Sequence, residues 1–97
     1  MRRKNCISDD IKDILERNDL IKEAEEIYTR EINEDKNNAK NYIGRAYFYL
    51  RNGKNKKAIS DCKTAIKLSP KDRTVLILAE MLICEAKLRV HKSGDYF

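Results

Sequence analysis

The chain has 97 residues, of which 38% are charged and 41% hydrophobic, with a net charge of +5. This length holds one small domain with little stability to spare, and the composition excludes a disordered tail. A transmembrane helix is excluded as well, because the longest apolar run, near Val75 to Cys84, is short and broken by Glu80.

The opening "MRRKNCISDD" is basic but no apolar h-region follows, so it does not read as a secretory signal. Cys6, Cys62 and Cys84 are odd in number and never form a C-x-x-C. They read as reduced thiols of an intracellular, cytoplasmic protein, with neither a disulfide framework nor a zinc site. Charge is divided unevenly. Residues 1–38 carry 8 Lys/Arg against 11 Asp/Glu, and residues 39–97 carry 13 against 5. An acidic first part is thus followed by a basic remainder, which bears on partners more than on fold.

Strand alternation is absent outside "TVLIL", and helical spacing runs throughout. Ser8 with Asp9 and Asp10 predicts a helix start, with acid at the positive end of the dipole, and a first helix to about Asn18. Asp19 is expected to cap a second helix from Leu20 to about Asn33, and "EDKNN" is a polar loop. A third helix is expected from about Ala39 to Asn52, stopped by Gly53, which can take the left-handed conformation favoured at helix ends. Asn55 is expected to cap a fourth helix to Leu68, and "SPKD" turns the chain again. Asp72 then caps a fifth helix from about Arg73 to Lys92. Five helices with short connections form an all-α domain of antiparallel neighbours.

Residues 5–38 written over 39–72, an offset of 34, agree in the phase of helix, break, helix and loop. Ala24 falls over Ala58 and Tyr28 over Cys62. The window "AKNYIGRAYFYLRNGKNKKAISDCKTAIKLSPKD" resembles one complete tetratricopeptide repeat. Tyr42 and Tyr49 stand at the aromatic slots, Ala46, Ala58 and Ala65 at the small ones, Gly53 in the turn and Pro70 at the end. Arg45 replaces a usual Leu, and Cys62 a usual aromatic. Residues 5–38 resemble a degenerate repeat, with Lys12 at a close-packing slot and Lys36 in place of proline. Residues 73–92 are similar to a final first helix, before a tail at 93–97. The resemblance implies a single domain of about two and a half repeats, stacked as a short right-handed superhelix, with a non-catalytic, scaffold-like role in protein–protein interaction.

The residues themselves point the same way. Tyr42, Arg45, Ala46 and Tyr49 form one helical face, and Ala46 opposite Ala58 and Ala65 lets two helices approach closely. Enzyme chemistry finds little support. His91 is the only histidine and lies near the chain's end, the acids of the first helix are too clustered for a carboxylate pair in a dry pocket, and there is no glycine-rich phosphate loop. No catalytic residue, metal or cofactor is expected.

Stacked helical hairpins line their concave side with the first helix of each pair. That places Asp9, Asp13 and Glu16, then Lys40, Ile43, Tyr47 and Arg51, then Ile77 and Met81 along one groove. The groove runs from acidic through aromatic and basic to apolar, a surface suited to a partner peptide or helix. Two other readings stand beside it. The fifth helix is apolar on more than one side and can join two chains. Lys54, Lys56, Lys57, Lys63 and Lys67 gather around the fourth helix, as in a nucleic-acid footprint, though the aromatics that could stack on bases lie mostly on the third. Relatives that clamp acidic chaperone tails use lysine, asparagine and arginine at slots filled here by Asp9, Asp13, Gly44, Thr74 and Leu78. The resemblance therefore implies no such clamp.

Overall fold

The computed structural model describes the backbone of residues 6–93 and the side chains of residues 17–90. Among these residues it is all-helical, with α1 (Cys6–Glu34), α2 (Ala39–Arg51), α3 (Asn55–Leu68) and α4 (Arg73–Ser93).

The helical periodicity predicts five helices, and the first correction is that the expected first and second are one. No turn occurs at Asn18–Asp19, and Asp19 caps nothing. The physical reason is local. Residues 6–34 contain no glycine or proline, and Asn and Asp inside a helix cost only about 0.7 kcal/mol each relative to Ala. The apolar positions Ile7, Ile11, Ile14, Ile21, Tyr28 and Ile32 also keep one helical phase straight across the supposed break.

The break after α2 differs in kind. Gly53 has φ +78°. Its N–H donates to the Leu50 carbonyl at 3.2 Å, while the Lys54 N–H donates to that of Tyr49 at 2.8 Å. This paired closure is a Schellman motif, which satisfies the last carbonyls of α2 and reverses the chain. Lys54 rather than Asn55 occupies the α3 N-cap, with no side-chain hydrogen bond. Asn55 lies inside the helix and is buried, and its Oδ1 has no protein partner. The Asp72 cap follows expectation, its Oδ1 accepting from the N–H groups of Thr74 and Val75, and the α2 N-cap is Asn38, within the loop, which accepts from the Lys40 N–H.

Paired contacts give the helix directions. Arg45 meets Asp61 across α2 and α3, while Glu25 meets Tyr49 and Thr29 meets Arg45 across α1 and α2. Each pairing is antiparallel. α4 lies against α3 and also reaches α2. Ala46, Ala58, Cys62, Ala79 and Ala86 are wholly excluded from solvent in one cluster, where small side chains let the helices approach closely. Ala65 belongs to a second cluster, with Ala39 and Val75, so it does not face Ala46. Phe48, which periodicity did not single out, is buried, with its ring 5.2 Å from Tyr28 and 5.7 Å from Tyr49.

Polar side chains fasten α1 to this body. Arg45 donates to both oxygens of Asp61, at 2.7 and 2.8 Å, and to Thr29 Oγ1 at 3.1 Å. Tyr49 donates its hydroxyl to Glu25 at 2.7 Å, and Lys54 and Lys57 approach the same carboxylate within 3.9 Å. The Tyr49 hydrogen bond, aided by the nearby cations, holds the Glu25 carboxyl below its ordinary range. Burial, with that hydrogen bond, pushes the Tyr49 phenol up to about 12. Hydrogen bonding to Asp61 raises the Arg45 guanidinium further still.

The α4 helix is only partly covered. Val75, Ala79 and Ala86 are buried, while Ile77, Leu78, Met81 and Leu88 remain exposed. Among the described residues no helix is long and apolar enough to cross a membrane.

Candidate functional site

Since α2 and α4 each run antiparallel to α3, they lie parallel to one another. Val75, Ala79 and Ala86 turn one side of α4 toward the interior, which leaves the adjoining face of Leu78, Met81, Leu82 and Glu85 beside α2. Ile43, Gly44 and Tyr47 form the opposite wall. The resulting pocket measures about 370 Å³ and is chiefly apolar, with Glu85 its one charged wall residue. An apolar concavity with a few polar groups at its rim is the common form of a recognition site.

Two arginines order its rim. Arg51 Nη1 donates to the Tyr47 hydroxyl at 3.2 Å, and the guanidinium carbon sits 5.6 Å from the ring centroid. This combined contact steadies the Tyr47 ring while the residue stays half exposed. On α4, Arg89 donates to the Leu50 carbonyl and to Glu85, each at 2.8 Å. It thereby ties the end of α2 to α4 and partly neutralises the pocket's carboxylate.

Of the residues expected along the groove, the structure brings Ile43, Tyr47 and Met81 into this pocket. Arg51 stands beside Tyr47, and Lys40 is exposed one helical stretch earlier on α2. Ile77 is exposed but is not one of the wall residues. The side chains of Asp9, Asp13 and Glu16 lie outside the described residues. With α1 unbroken, the helix that bears them does not double back to serve as a groove helix of its own.

Periodicity alone left out Leu82 and Glu85, and assigned Gly44 and Leu78 no groove role. The available signal was the i, i+3, i+4, i+7 set of Leu78, Met81, Leu82 and Glu85. Finding it required knowing which side of α4 faces α3.

The basic cluster on α3 is divided. Lys54 and Lys57 are drawn to Glu25, and Lys57 also lies over the Tyr49 ring at 5.5 Å. Lys63 and Lys67 are exposed. Cys84 is exposed, whereas Cys62 is buried, which pushes its thiol up to about 11 and suppresses the reactive thiolate. Among the described residues no group of three or more His, Cys, Asp or Glu is placed to hold a metal ion. A second depression of about 560 Å³ follows one polar flank of α1, lined by Lys22, Glu25, Glu26, Thr29, Arg30 and Asn33. Comparison with protein-family models, curated proteins and solved structures gives no match.

Proposed function

We propose that the chain is a non-catalytic protein-interaction module of tetratricopeptide type, a superhelical stack that holds a partner's peptide or helix between α2 and α4. The observation that carries this reading is the apolar pocket itself, with Tyr47 and Met81 50% and 62% exposed at its mouth. A large aromatic fixed by an arginine yet open to solvent is the kind of anchor that dominates interface energetics. The unpaired neighbours of the pocket are apolar, so a partner would gain mainly by burying side chains there.

The test is selection of binding peptides from a displayed library, with affinities measured by fluorescence anisotropy. Tyr47→Ala should weaken the selected peptides by about 2 kcal/mol or more, roughly thirtyfold. Lys63→Ala, on the far helix, should leave affinity unchanged. Equal binding by both variants would remove the groove assignment.

Self-assembly through α4 is the second reading, favoured by the exposure of Ile77, Leu78, Met81 and Leu88 on that one helix. Nucleic-acid binding is less favoured, because two of the five clustered lysines already lie against Glu25. A steep salt dependence of RNA or DNA binding would restore it.

A further inference from the structure

The α4 helix carries a second apolar stripe, on the side turned away from the core. Ile77, Met81, Cys84 and Leu88 follow one another at intervals of 4, 3 and 4 residues. This is the heptad spacing along which two helices pack as a seam. Val75, Ala79 and Ala86 mark the buried side of α4, and at 3.6 residues per turn the stripe falls opposite them. All four of its side chains are exposed, those of Ile77, Met81 and Leu88 by more than half. Of the four, Met81 alone also borders the groove.

The charges beside the stripe decide what can cover it. Glu80 and Lys87 lie on one flank, and neither forms an ion pair with a described residue of its own chain. Consider two copies of α4 running antiparallel, with Ile77 of one against Leu88 of the other. Met81 then meets Cys84 of the second copy, and the two-fold axis repeats both layers. In this register Glu80 stands beside Lys87 of the second copy, and symmetry makes that pair twice. A parallel alignment sets Glu80 against Glu85 instead, so like charges meet. Flanking charges of this kind set the orientation of paired helices.

We infer that α4 pairs antiparallel with α4 of a second copy along the stripe from Ile77 to Leu88, in the register that joins Glu80 to Lys87 reciprocally. This rests on the self-assembly reading above and gives it an orientation and a register. The seam is about 17 Å long at 1.5 Å per residue, so the pair is small and weak, forming at micromolar chain concentrations.

Sedimentation equilibrium of the full chain, from low to high micromolar concentration, tests it with Glu80→Lys, Lys87→Glu and the variant carrying both. The two sites are exposed and the two residue types have similar helix propensity, so the fold is retained, as circular dichroism checks. Each single reversal creates two like-charged contacts and should weaken dimerisation about tenfold. The double variant exchanges the charges and should recover the native affinity. Cys84 supplies an independent readout: its alkylation, located by peptide mass spectrometry, should slow as chain concentration rises.

A dimer that ignores both single reversals, that the double variant fails to restore, or whose Cys84 stays as reactive as in the monomer overturns the inference. So does a dimer that Glu80→Lys strengthens, which is the parallel outcome. If joint Ile77→Gln and Leu88→Gln still abolishes such a dimer, the self-assembly reading stands without this geometry. A native chain that stays monomeric throughout overturns both, and the peptide assay then decides the groove by itself.

Discussion

Arg45 occupies a position where an apolar residue would be expected, and its ion pair with Asp61 provides the sharpest test of how this fold is held together. The two side chains are 18% and 8% exposed, and the contact is bidentate. Removing one partner from a buried pair typically costs about 3–5 kcal/mol, because the other charge remains without compensation. The two halves should not cost the same. In Asp61→Leu the guanidinium keeps Thr29 and the Tyr49 ring, 5.5 Å away, and can lean toward solvent, so about 2 kcal/mol is expected. In Arg45→Met the Asp61 carboxylate is left nearly dry, and about 3–4 kcal/mol is expected. The double variant replaces the pair by apolar groups of similar volume and should lie within about 1 kcal/mol of the native protein. Domains of this size have total stabilities of about 5–15 kcal/mol, so either single change is a large fraction. Urea titration followed by far-UV circular dichroism measures all four corners of the cycle. Coupling near zero, with the double variant costing the sum of the singles, would refute the reasoning. It would mean that water already solvates the pair.

Ala58 touches no solvent, so Ala58→Leu should overpack the seam and lower stability by about 1–3 kcal/mol. Lys57→Leu, next to it but exposed, should cost less than about 1 kcal/mol by the same urea titration. The two glycines should respond with opposite sign in thermal melts. Gly53→Ala forces a positive φ and should cost about 1–2 kcal/mol although a Cβ there meets nothing within 4 Å. Gly44→Ala places its Cβ 3.6 Å from the Tyr28 ring, an ordinary contact, and should gain up to about 1 kcal/mol of helix propensity. Tyr49→Phe tests the carboxylate contact. Glu25 is depressed in the fold, so its contribution is complete above the ordinary carboxylate value of 4.5 and is lost as pH falls through the lower folded value. The stability gap between native and variant should therefore narrow in acid. At the alkaline end Tyr49 is raised, so its contribution holds below the ordinary value of 10 and disappears as pH climbs through about 12. A gap independent of pH in both windows would remove the Glu25–Tyr49 contact from the account.

Local chemistry determined much of this protein before any tertiary contact. The helical class follows from spacing. The stop at Gly53 follows from its freedom at positive φ, the start at Asp72 from a carboxylate beside free N–H groups, and the close seam from alanines at fixed intervals. Helical spacing put Ile43 and Tyr47 on one face of α2, although Tyr47 is exposed while Ile43 is half-buried against the core. Tertiary structure decided what depends on relations between helices. The exception is Asn18–Asp19, which looks like a boundary yet stays helical for a local reason, since neither residue costs enough to outweigh the hydrogen bonds a turn would forfeit. Arg45 reads as a departure until α3 brings Asp61 and α1 brings Thr29 to its guanidinium. Leu82 and Glu85 join the pocket only once burial against α3 sets the rotation of α4. A single sequence carries the period of each helix but not its azimuth, since azimuth is fixed by packing with residues far away along the chain.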